Sequence, residues 1–448
     1  MNITKWTSGI KLLRRRLGFF IVITLVTTIV LDSILLRTYD LYSKGSSSGW
    51  TIPTFILTIS ISILAQFLLL NILRRNKARM KSNTGTRFTQ LNIAVTVIQS
   101  LLAANLIISI ISIVTHSSYS TMILILGVTI SYATTISLLL LLTISFVRWF
   151  RSRRNIELLL YAISAASIVI SAFITLLFSD LTLSHLPPNV RFRIGGTSIY
   201  IPPGSLEGKL AEANYFFVPI SFLLTWLATA TLLRGYRKRH GNLGYWTIIS
   251  IPLVVFMSQY LIQVFKISDQ LIVTEPVFYG SLFTLLFIFT KLAGGILFGL
   301  AFWLISRKIQ NGKSIREYLV MSAYGLLLLL LSIQILGIIV VPYPPFGILT
   351  ISIAGMSSYL VLVGIHGSAV TMTESSKLRI EIRKAVNELG FLDSIGSAQL
   401  ESEIEKEVAA ITNKFRAKLL VETGMPLDID ESEVKDYVNE VLAEIKKK

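Results

Sequence analysis

The feature that most constrains this chain is a repeated one: apolar runs of about 20 residues separated by short polar connections. Wound as a helix, a run of that length spans the roughly 30 Å of hydrocarbon in a bilayer. Backbone polar groups in lipid must be satisfied within the segment itself, which predicts a helix for each run. Ten runs can be read, at 17–36, 52–73, 89–114, 121–147, 155–178, 213–233, 244–265, 278–306, 316–340 and 346–370. Only 15% of the residues are charged, against about 25% in soluble domains. The expected fold class is all-α: a polytopic transmembrane helix bundle of ten spans with a small C-terminal cytoplasmic helical domain. The first run follows five basic residues between Lys5 and Arg16. It is too long for a signal-peptide core and lacks a small-x-small cleavage site, so it reads as a retained span.

Charge placement gives direction. The N-terminal segment and the connections 74–88, 148–154, 234–243 and 307–316 together hold 23 basic residues, and the alternate connections hold six. Short loops rich in Lys and Arg mark the cytoplasmic side. This predicts a multi-pass protein of the cell membrane with both termini in the cytoplasm. The same asymmetry accounts for the net charge of +17 without nucleic acid as a partner. The expected partner is the bilayer itself, with anionic lipid at the basic loops.

The chain has no cysteine, which excludes disulfides, thiolate metal sites and cysteine nucleophiles. It contains no GxxxxGK[ST], HExxH or GxSxG pattern. Its four histidines, His116, His185, His240 and His366, have no second ligand at metal-binding spacing. The expectation is a protein that is not an enzyme and takes no cofactor or metal.

The longest external connection, 179–212, divides the spans five and five, a layout found in inverted-repeat transporters. Within it Val190–Ile194 and Thr197–Ile201 flank Gly195-Gly196. Two alternating runs around a glycine pair predict a β-hairpin.

The bundle is expected to occupy 1–372 and the tail 373–448, where 12 basic residues face 16 acidic ones. The tail reads as three helices. The first runs from Ser375 to Leu389 and stops at Gly390. The second starts after Ser397 as N-cap and carries the apolar stripe Leu400, Ile404, Val408, Ile411, Phe415 and Leu419. The third follows Asp430 and carries Val434 to Ile445. The stretches Leu378-Arg379-Ile380-Glu381-Ile382-Arg383-Lys384 and Leu392-Asp393-Ser394-Ile395-Gly396-Ser397-Ala398-Gln399 resemble a pattern in archaeal multi-span membrane proteins of unknown function. That resemblance implies an architecture and no chemistry.

Ionisable residues inside spans are the usual pointers to function in lipid. Lys291, in Phe289-Thr290-Lys291-Leu292, reads as a substrate contact or as a partner for Asp32 of the first span. Alternatively, its span is 286–305 and it snorkels to the outer interface. Gln259 and Gln263 are four apart and share a face, so they would line a polar path or join helices. Gln66, Gln99 and Asn105 are expected to hydrogen-bond between helices, and Gly295 and Gly299 to let two helices pack closely. His366, between Gly364 and Gly367, is the candidate pH sensor. Two functions follow. One is a membrane protein whose tail recruits or signals to a protein partner or a second copy. The other is a secondary transporter or permease using a path near Lys291.

Overall fold

The computed structural model describes residues 3–42, 50–77, 85–191, 197–198, 202, 204–264, 276–309, 312–333, 340–341, 343–384 and 386–423. Helices α1 (Ile3–Tyr42), α2 (Thr51–Lys77), α3 (Gly85–His116), α4 (Thr121–Ser152) and α5 (Ile156–Ser184) make up the first half. Helices α6 (Leu206–Leu232), α7 (Arg237–Val264), α8 (Pro276–Lys308), α9 (Lys313–Ser332) and α10 (Ile348–Glu374) make up the second. Each of these ten contains a stretch long and apolar enough to cross a membrane. Large apolar side chains such as Phe20, Leu57, Leu64, Phe173 and Phe289 stand exposed along them. In water such a surface would aggregate; in lipid it is the outer wall. The chain is an all-α, multi-pass integral membrane protein.

The last span is the axis. In α10, 94% of the apolar window is buried, against 22–61% in the other nine. The sequence permits this because α10 is lined with small residues on every side. A Cβ on Gly364 would stand 2.6 Å from both the Ser322 nitrogen and the Tyr318 oxygen of α9, and one on Gly355 would meet Thr134 of α4 at 3.2 Å. Small residues let backbones approach where lipid supplies no hydrophobic drive for association. The Gly295/Gly299 pair acts likewise within the chain, packing α8 on α9 with Gly299 against the Ala323 carbonyl. Polar groups complete the seams. Ser131 donates to the Ile351 carbonyl at 2.5 Å. Gln99 donates to Gln66 and, at 3.3 Å, to the Ser352 carbonyl. Asn105 bonds the Ile123 carbonyl at 2.8 Å.

Three expectations are corrected here. The arms around Gly195-Gly196 do not pair with each other among the described residues. Strand β2 (Asn189–Arg191) pairs antiparallel with β1 (Ser118–Ser120), and β3 (Thr197–Ser198) pairs with β4 (Val340–Val341). Each arm finds its ladder partner in a different neighbouring connection, and Thr121 secures the first by donating to Pro187 at 2.5 Å. The ninth span ends at Ser332 rather than 340, with Ile333 already extended, and Val340–Val341 belong to that second ladder. The tail helices break elsewhere: α11 is Ser376–Lys384, and α12 runs from Val386 to Thr423 with its kink at Leu389. Ser397 is inside α12 and caps nothing. The third tail helix, Asp430 to Ile445, lies outside the described residues.

Candidate functional site

The tail does not hang from the last span; its first part is built into the bundle. Leu378, Ile382, Leu389, Phe391, Leu392, Ile395 and Ala398 belong to the same apolar cluster as Phe146, Tyr161, Phe302 and Met372. The cluster crosses residue 373 without a break. Phe391 is 2% exposed. Its ring centroid is 5.2 Å from Tyr161 of α5, 6.0 Å from Phe302 of α8 and 6.3 Å from Phe146 of α4. One aromatic side chain of the tail therefore wedges three spans together. Gly396 lies against Met372, so α12 crosses the end of α10 at close range.

A polar rim surrounds this wedge on the side of the bundle that carries the basic connections. Trp149 donates its indole N–H to the Gln399 carbonyl oxygen at 3.1 Å, and the Gln399 amide donates to Glu403 at 3.0 Å. Arg153 pairs with Glu401 at 2.7 Å, and Ser152 donates to the same carboxylate. Asn155 has two roles. Its oxygen accepts from the Glu157 N–H at 2.9 Å, capping α5, and its amide donates to Ser394 at 2.7 Å. The connection between α4 and α5 is thus a polar cradle for residues 394–401. The contacts are individually modest, about 1 kcal/mol net each. The buried aromatic core beneath them carries more.

Of the apolar stripe expected from Leu400 to Leu419, the described side chains are not buried: Leu400, Ile404 and Val408 are half-buried and Ile411 is 50% exposed. Among the described residues of α12, burial is confined to Leu389–Gln399. The stripe has helical period, but the structure seats the turn before it, because only that turn reaches the ring of spans α4, α5 and α8.

The sequence-predicted site residues fall in separate places. Asp32 is 1% exposed and accepts from the Gly347 N–H at 3.0 Å, the Thr350 N–H at 3.0 Å and the Thr350 hydroxyl at 2.6 Å. It caps the N-terminus of α10 from another helix. Lys291 donates to the Ile333 carbonyl at 3.0 Å and lies over the Phe287 ring at 4.4 Å. It attends the C-terminus of α9. The two are not an ion pair: one serves the end of α9 and the other the start of α10, where opposite helix-dipole charges favour opposite side chains. The span holding Lys291 is Thr284–Lys308, which sets the amine about 25 Å from the basic end of α8 at 1.5 Å per residue. Gln259 and Gln263 lie on α7, but their side chains are outside the described residues. His366 is brought to the docking site, its ring edge-on to Trp149 at 5.8 Å.

Sequence reasoning missed Trp149, Asn155, Phe391 and Gln399 as a unit. One signal was present: Asn155 stands directly before an apolar run with Glu157 in the first turn, the pattern of a capped helix start. Comparison with protein-family models, curated proteins and solved structures gives no match.

Proposed function

We propose that this is a non-enzymatic membrane protein whose tail couples the bundle to a protein partner or to a second copy of itself. The observation that supports this reading is the insertion of Phe391 among Phe146, Tyr161 and Phe302. Any shift of α4, α5 or α8 would be passed to α12 through that ring. Beyond Ile404 the helix leaves the body and presents Glu405, Lys406, Glu407 and Ile411 to solvent. A rigid docked base followed by an exposed helical arm suits recognition. Lys291 and Asp32, the residues on which a transport path would rest, are each engaged at a helix end. In this reading the basic connections and both termini face the cytoplasm.

The test is site-specific photo-crosslinking in the native membrane. A photoreactive side chain at Ile411 should yield a discrete protein adduct, whose mass separates a partner from a second copy. The same group at lipid-facing Ile170 should yield none. Absence of protein adducts at Glu405, Glu407 and Ile411 alike would overturn the reading.

A further inference from the structure

Beside the docked tail is a cavity of about 630 Å³, within the ordinary range for a small-molecule site. Its walls come from four membrane-spanning helices, one short helical turn and the tail. Glu157 begins α5, and Thr231 and Leu232 end α6. Arg234 lies on the one-turn helix Arg234–Tyr236, while Arg237, Lys238 and Asn242 open α7. Ile305 comes from α8, and Leu389 to Leu392 from α12 close the far side.

Three cations face this space against one carboxylate. Arg234, Arg237 and Lys238 are exposed, and none forms an ion pair among the described residues. Helix geometry adds to the positive potential. Gly241 leaves helical conformation at φ 73°, so the membrane segment of α7 starts at Asn242 on the cavity wall. Leu389, at φ −122° and ψ 21°, also leaves helical conformation, so a second helical stretch opens with Gly390, Phe391 and Leu392. A Cβ on Gly390 would meet nothing within 4 Å, which leaves its backbone open to an occupant. Two helix starts and three basic side chains around one cavity favour a phosphate.

Glu157 narrows the choice. Its Oε2 is buried and accepts no hydrogen bond among the described residues. A bare anion would leave that oxygen unsatisfied, whereas a ligand with a hydroxyl group would donate to it. We infer that the cavity between the α6–α7 turn and the start of α12 binds a phosphate ester that carries hydroxyl groups. The phosphate sits with Arg234, Arg237 and Lys238, and a hydroxyl donates to Glu157. A lipid headgroup and a free polyol phosphate share this chemistry. The inference stands apart from partner recruitment and does not depend on it.

The experiment uses the full chain in nanodiscs of phosphocholine lipid, titrated calorimetrically with glycerol 3-phosphate and with methyl phosphate. Glycerol 3-phosphate should bind once per chain and at least tenfold more tightly than methyl phosphate. Replacing the exposed pair, Arg237→Gln with Lys238→Gln, should weaken it tenfold or more. Glu157→Ala, which removes both acceptor oxygens, should erase the preference between the two esters. If free ester does not bind, phosphatidylglycerol doped into the discs should be retained at one molecule per chain in native mass spectrometry, with the same dependence on Arg237 and Lys238; that result assigns the site to a lipid. In either case hydrogen exchange at Gly390–Leu392 should slow when the site is filled. Binding of neither probe, or binding indifferent to the Arg237/Lys238 replacement, would overturn the inference.

Discussion

Asp32 and Thr350 lie 318 residues apart and are joined twice, once through the Thr350 N–H at 3.0 Å and once through its hydroxyl at 2.6 Å. A carboxylate of the first span therefore closes the start of the last. This matters because α10 is the most buried of the spans, and its N-terminal donors are closed off from water.

Removal of that carboxylate should be severe. Each orphaned buried donor costs about 1–3 kcal/mol, and Asp32→Ala orphans three of them, the two N–H groups and the hydroxyl. The expected loss is about 3 kcal/mol or more, with Asp32→Asn intermediate because it keeps one acceptor oxygen. Thermal unfolding in nanodiscs should rank wild type above Asn above Ala. Equal stability of all three would exclude the capping role.

Lys291 should behave differently, although it is the other ionisable residue of the spans singled out above. Its bond to the Ile333 carbonyl contributes about 1.5–3 kcal/mol as a charged hydrogen bond. Holding an ammonium within the membrane costs about 3 kcal/mol on insertion scales. The two largely offset each other, so Lys291→Leu should change stability by no more than about 1.5 kcal/mol. A loss as large as that of Asp32→Ala would show that Lys291 has a structural weight this balance does not give it.

Close packing supplies a third prediction. A methyl at Gly364 would overlap the α9 backbone, whereas one at Gly18 would meet nothing within 4 Å. Gly364→Ala should cost about 1–3 kcal/mol as overpacking, and Gly18→Ala should be neutral or slightly stabilising as a better helix former. Folded yield and unfolding temperature of the two variants, measured side by side, check this.

The ten spans were legible because a bilayer imposes one length and one polarity on every crossing segment. Asp32 and Lys291 were legible as exceptions to that polarity, but their partners were not. A carboxylate and an ammonium in lipid suggest an ion pair, and nothing local reveals that a helix end can satisfy each one instead. The arms around Gly195-Gly196 show the same limit. Alternation marks them as strands without saying that each pairs with a distant connection. The tail's apolar stripe from Leu400 has helical period, yet period alone does not say which turn meets the body. That was decided by the reach of Phe391 to three spans.

Orientation can be tested with single cysteines, since the chain has none of its own. With the basic connections in the cytoplasm, a cysteine at Ser198 should react with an impermeant thiol reagent in intact cells. One at Ser402 should react only after permeabilisation. Labelling of Ser402 in intact cells would invert the assignment.

The central claim is that residues 389–399 belong to the core of the bundle, while the helix beyond them is an exposed arm. Hydrogen exchange of the full chain in nanodiscs measures this directly. Protection across Leu389–Gln399 should match that of the α4 segment Phe146–Trp149 and fall steeply past Glu405. Phe391→Ala, which removes about 3–5 kcal/mol of core packing, should abolish protection of 389–399 while leaving α10 protected. Complete exchange of wild-type 389–399 at the earliest time point would contradict the account.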